Sequence, residues 1–180
     1  MKKKILFSGF CLFATATTLL AQDSLSVKPV ATKPYKLALG LRYSPGGPAA
    51  DFGFTAKYFI GAQSALEAQA TKFSYSDSYM ATVSYVWQPQ LLTSSGLRPY
   101  ISAGIGAMRY HDQHPDNSFI KTNPVAVVNA GVEYKFRRAP VALSLDYRAP
   151  VLRYDNSPYQ SRKPLSDYGN LGIGVKLLLR

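Results

Sequence analysis

A two-residue period that recurs from Tyr35 to the end of the chain constrains this sequence more than any other feature. It is plainest in residues 131–150, GVEYKFRRAPVALSLDYRAP. Val132, Tyr134 and Phe136 fall on one face, and after the Arg137–Pro140 turn Val141, Leu143, Leu145 and Tyr147 continue it. The alternate positions hold Glu133, Lys135, Ala142, Ser144, Asp146 and Arg148. Successive side chains of a strand point to opposite faces, so this pattern is a β-hairpin and not a helix. One of its faces is hydrocarbon, and the other carries both signs of charge.

The same alternation marks eight segments: 35–44, 51–59, 64–73, 78–88, 98–110, about 125–136, 141–148 and 169–180. Turn-forming stretches such as PGGP and IGAQ separate them. In the first segment Tyr35, Leu37, Leu39, Leu41 and Tyr43 are assigned to the apolar face. An even number of strands brings both ends of the set to one rim. The connections read as long polar loops, HDQHPDNSFIKT and roughly 150–168, then share the opposite rim. The connection 89–98 is the exception, being longer than the other turns on its side. No segment after residue 21 approaches the ~20 apolar residues of a membrane helix.

The first residues, MKKKILFSGFCLFATATTLLAQDS, place three lysines before a short apolar run that ends in small residues. That is the layout of a secretory signal peptide, read as residues 1–21, with cleavage between Ala21 and Gln22. Residues 22–34 read as a flexible lead-in and 35–180 as the barrel domain. Cys11 falls inside the signal after Phe10, a poor context for a lipoprotein site, so the mature chain has no thiol for disulfides or metal. Without Lys2, Lys3 and Lys4, 18 basic residues face 10 acidic ones, a net charge of about +8. For an exported protein this charge points to anionic lipid headgroups and not to nucleic acid.

An alternating barrel can keep its apolar face inside, as a soluble lipocalin-like carrier does, or outside, as a membrane barrel does. Three features favour the second. Aromatic residues gather near the ends of the apolar faces: Tyr35 and Tyr43, Phe52 and Tyr58, Tyr85 and Trp87, Tyr134 and Phe136, and Tyr147. The polar face mixes charge with glycines such as Gly40, Gly53, Gly104, Gly106 and Gly172, as a narrow lumen requires. An open sheet edge is not tolerated in lipid, so the first and last strands must pair. The expected fold is all-β: an eight-stranded antiparallel up-and-down transmembrane barrel. Its lumen would hold a charge network of Arg42, Lys57, Glu67, Glu133, Asp146, Arg148 and Lys176.

The stretches RPYISAGIGAMRY, NAGVEYKF, LSLDYR and GNLGIGVKLLL resemble strand motifs of the small outer-membrane β-barrel superfamily, the OmpA/OmpX-like and porin-like barrels of Gram-negative bacteria. The likeness covers about residues 35–180 and is specific for architecture, not activity. It implies an outer-membrane location after signal cleavage, contact with membrane lipid and lipopolysaccharide, and handling by the outer-membrane assembly machinery. Such barrels usually end on an aromatic residue, whereas this chain ends Leu177-Leu178-Leu179-Arg180. Either the leucines substitute for it, or insertion rests on other signals.

Candidate chemistry is sparse. His111 and His114 share a segment with Asp112, Asp116 and Ser118, residue types that bind zinc or activate a serine when held rigidly. Nothing around them supplies that scaffold, and no serine motif of a lipid A deacylase is recognisable, so no catalytic, metal or cofactor site is expected. Paired charges in so narrow a lumen point to a plug, with a small pore as the alternative. In the outer loops Arg153, Tyr154, Tyr159, Arg162 and Lys163 suit contacts to a partner, lipopolysaccharide phosphates being a target for Arg162 and Lys163. The function read from sequence is a structural, adhesive or narrow-pore membrane barrel without catalysis. Two alternatives remain: a membrane-embedded lipid-modifying enzyme on the same barrel, and a soluble periplasmic binder of a hydrophobic ligand.

Overall fold

A computed structural model describes residues 34–45, 50–74, 78–91, 96–114, 117–153 and 169–179, apart from the side chains of 110–121, 152 and 153. Residues 1–33, read from sequence as a signal peptide and most of a lead-in, lie outside these residues, as do Tyr154, Tyr159, Arg162, Lys163 and the side chain of Arg153. Eight strands run in chain order: β1 (Leu37–Ser44), β2 (Asp51–Phe59), β3 (Ser64–Phe73), β4 (Tyr79–Trp87), β5 (Leu97–His114), β6 (Asn117–Lys135), β7 (Val141–Arg153) and β8 (Asn170–Leu179). Every neighbouring pair is antiparallel, and β1 pairs with β8 from Leu37↔Leu179 to Tyr43↔Ile173. The sheet is therefore a closed barrel, and no edge is left unpaired.

The alternation is inverted relative to a water-soluble protein. Outward side chains are apolar, with Ile105 74% and Phe54 64% exposed, whereas Asp51 and Lys57 on the inner face are at 0%. The aromatic side chains named above stand outward near the two rims, except Tyr35. Tyr35 was assigned to the outer face, but β1 begins only at Leu37, and the break in alternation before it turns Tyr35 inward to 5% exposure.

Five strands are eight to ten residues long, close to the ~9–11 that cross a bilayer at a tilt. The other three run further. β5 and β6 stay paired up to His114↔Asn117, well past the last β4 contact at Tyr79↔Arg109. The stretch HDQHPDNSFIKT, read from sequence as a loop, is therefore mostly the end of a two-stranded arm. Above the rim there is no hydrocarbon to demand an apolar face, so the sequence signal for strand fades there. β7 likewise reaches Arg153, beyond the expected end at residue 148, with a register shift opposite Ala126 and Val127. The shift falls next to Pro150, which has no N–H to give the ladder.

The lumen is filled by side chains. Tyr35, Phe59, Val86, Tyr100 and Leu178 form an apolar cluster toward the rim that holds the described chain ends. Phe73, Met80, Met108, Val125 and Val127 form another toward the opposite rim. Charged residues occupy the space between and beside them.

Candidate functional site

Seven charged residues read from sequence as inward-facing, and Asp51 beside them, gather in two groups inside the barrel. The lower group joins Lys57 of β2, Glu67 of β3, Glu133 of β6 and Lys176 of β8. Lys176 Nζ donates to Glu67 Oε1 at 2.9 Å and to Glu133 Oε2 at 3.2 Å. Lys57 Nζ donates to the same Glu133 oxygen at 3.2 Å and to Gln88 Oε1 at 3.0 Å. Glu133 Oε1 accepts from the Tyr35 hydroxyl at 2.8 Å and from Gln88 Nε2 at 3.2 Å. One carboxylate thus receives four donors, which fills its acceptor capacity.

The upper group joins Arg42 of β1, Asp51 of β2, and Asp146 and Arg148 of β7. Arg42 spreads its guanidinium over three acceptors. Nε reaches Asp146 Oδ1 at 2.8 Å, one terminal nitrogen reaches Asp51 Oδ1 at 3.0 Å, and the other reaches Asn170 Oδ1 at 3.0 Å. Arg148 donates to Asp51 as well as to Thr71 Oγ1 at 3.2 Å. Asn170 Nδ2 also donates to Asp51. Gly172 provides the room: a Cβ there would collide with the Arg42 guanidinium.

Tyr100 of β5 connects the groups. Its hydroxyl donates to Asp146 Oδ2 at 3.0 Å. Lys57 Nζ stands 4.7 Å and Lys176 Nζ 5.7 Å from its ring centroid, within range of cation–π attraction. Each group contains two cations and two anions and is neutral. That balance is what makes charge tolerable at this burial, because an unpaired buried ion is strongly unfavourable. Nearer mid-height, Thr55 Oγ1, Ser84 Oγ and Asn129 Oδ1 are buried with no protein partner among the described residues.

Five members of this network were not singled out as site residues from sequence. Asp51 opens the second segment and was counted with it only as a strand start, although it shares the parity of Gly53, Thr55 and Lys57. Gln88 and Asn170 also carry inward parity at segment ends, so parity would have found them. Tyr100 shares the parity of Gly104 and Gly106 and so belongs to the polar face, but parity names no contact. Tyr35 was placed on the wrong face. His111 and His114 stand in β5, paired with Ile120 and Asn117, and their side chains lie outside the described residues.

No protein-family model matches the chain, and no curated protein sequence does. Solved structures do. The N-terminal β-barrel domain of Pseudomonas aeruginosa OprF aligns with a TM-score of 0.61 at 17% identity, covering 79% of this chain and 96% of that one. Neisserial surface protein A gives 0.50 at 18% identity, covering 79% and 93%. The de novo designed TMB2.3 gives 0.52 at 18% identity, covering 82% and 97%. At these identities the likeness is one of fold: the chain has the architecture of the small outer-membrane barrels.

Proposed function

We infer that this chain is an integral outer-membrane protein whose barrel is closed by its own side chains. It acts as a structural or adhesive element of the membrane wall, not as a catalyst. One observation carries the reading: the outer wall is apolar and exposed, while eight charged groups are paired and buried inside. A water-soluble carrier of a hydrophobic ligand needs the opposite arrangement, with an apolar lumen free to receive the ligand. The partners that fit are outer-membrane lipid, lipopolysaccharide at the rim of long loops, and the assembly machinery during insertion. The location is the outer membrane of a Gram-negative bacterium, after removal of residues 1–21.

The test is membrane fractionation combined with gel mobility before and after boiling. A folded membrane barrel sediments with outer membranes and shifts its position on boiling; recovery in the soluble periplasmic fraction would sink the reading. A narrow pore is a second reading, favoured by the small polar side chains Thr55, Ser84 and Asn129 at mid-height. It predicts conductance in a planar bilayer, whereas the closed reading predicts silence.

A further inference from the structure

The outward face of the strands is apolar almost throughout, which makes its exceptions informative. Among the described side chains within the strands, only Lys72 and Arg109 are charged on that face; the exposed Lys36 precedes β1 at the opposite rim. The two lie in one row: Lys72 of β3 pairs with Tyr79 of β4, and Tyr79 pairs with Arg109 of β5. Adjacent strands are ~4.8 Å apart, so the two cations stand roughly 10 Å apart across Tyr79, within joint reach of one headgroup. Lys72 Nζ rests 5.5 Å from the Tyr79 ring centroid. Among the described residues no acidic side chain shares the outward face with these two cations.

Directly below this row the wall is hollow. Ala70 and Ala81 are opposed across β3 and β4, and Ala68 follows one step further along the same face. With Ala56 they floor a groove of about 750 Å³, walled by Phe54 and Ile105. Small side chains on three adjacent strands, topped by two cations at the aromatic rim, match one ligand shape: a hydrocarbon chain under an anionic headgroup. Neither this groove nor a second outward hollow of about 510 Å³, by Tyr85, Ala103, Val128 and Tyr147, has a charged residue in its lining; the first lies next to the Lys72–Arg109 row along β3 and β4.

We propose that Lys72, Tyr79, Arg109 and the alanine groove form a seat for a phosphate-bearing membrane lipid. Its phosphate lies against the two cations, and one acyl chain fills the groove. The seat rests on the reading of the chain as a membrane barrel, and it adds a specific lipid site on the wall, apart from the loops. Charge complementarity selects the headgroup, because a pair of cations at the edge of the apolar wall attracts an anionic lipid phosphate.

The test uses the full chain folded in detergent micelles and titrated with dioleoyl phosphatidic acid, dioleoyl phosphatidylcholine or inorganic phosphate, with bound ligand counted by native mass spectrometry. The wild type should prefer phosphatidic acid over phosphatidylcholine by roughly thirtyfold, the product of two basic side chains near the surface. Lys72→Gln with Arg109→Gln should abolish the preference. Ala81→Phe should weaken phosphatidic acid binding with both cations left in place. Each variant is first shown to be folded by its heat-shift on a gel. Equal binding of the two lipids by the folded wild type overturns the seat and leaves the membrane reading standing. Inorganic phosphate bound as well as the lipid overturns it in favour of a simple anion site. A dimer that Ala81→Phe disperses, without lipid preference, overturns it in favour of contact between copies. A wild type without heat-shift, recovered as a soluble protein, removes the membrane reading and the seat together.

Discussion

The two ion groups in the lumen solve one problem with different side chains. Below Tyr100, Lys57 and Lys176 surround a carboxylate, and Glu133 gathers four donors. Above it, a planar guanidinium is the organiser, and Arg42 reaches three acceptors on three different strands. An ammonium is a compact charge on a mobile stem, so it adapts to where its carboxylates stand; a guanidinium is a rigid fork, so the acceptors must be placed for it. The lower group therefore depends on the presence of one anion, and the upper group on the shape of one cation. Gly172 bears this out, since it exists as a gap for the Arg42 head.

The contrast can be broken at its most sensitive point first. Glu133→Gln leaves Lys57 and Lys176 with Glu67 as the remaining lower carboxylate, an uncompensated positive charge at near-complete burial. A loss of about 3–5 kcal/mol is expected, as for other broken buried pairs. Urea unfolding of the vesicle-folded barrel, followed through the fluorescence of Trp87, checks it. A loss below 1 kcal/mol would show that the lower group does not rest on Glu133.

Next in size is a charge with no partner at all. Leu145 faces outward on β7, between Val132 and Ile173 and away from both aromatic rims. Leu145→Lys should destabilise the barrel by roughly 2–4 kcal/mol, the cost of a cation near the bilayer midplane. The same unfolding experiment measures it, and the change should be absent in a protein whose outer wall meets water.

Shape dependence in the upper group is probed by Arg42→Lys, which keeps the charge and gives up the fork. It should cost about 2 kcal/mol, because an ammonium leaves at least one of Asp51, Asp146 and Asn170 without its donor. The smallest effect expected is from Gly172→Ala, about 1–2 kcal/mol, from crowding the guanidinium. In an Arg42→Lys background that penalty should shrink, since a slimmer head leaves space. Additive penalties in the double variant would contradict the steric account.

How far the sequence could be read depended on what each residue faces. Within the lipid-crossing band the environment imposes period two, and β2 and β3 run from Asp51 to Phe59 and from Ser64 to Phe73, the bounds read from the pattern alone. Residues 111–122 carry no such period, so the pattern alone made them a loop. Parity also fails where the chain is irregular, which is why Tyr35 was put outside and not against Glu133. Inward parity located the charges but not their partners. Glu133 and Tyr35 are 98 positions apart in sequence, and Arg42 and Asp146 are 104 apart. Only the barrel's register brings them together, and register across such distances leaves no local trace.

If the apolar face of this barrel meets lipid, the chain's single tryptophan reports it directly. Trp87 is 46% exposed on the outward face, at the end of β4. The full chain should be folded into phosphatidylcholine vesicles whose acyl chains carry bromine, which quenches indole fluorescence on contact. Strong quenching relative to unbrominated vesicles, with little effect of aqueous iodide, is the predicted result. Fluorescence untouched by bromine and quenched by iodide would contradict it.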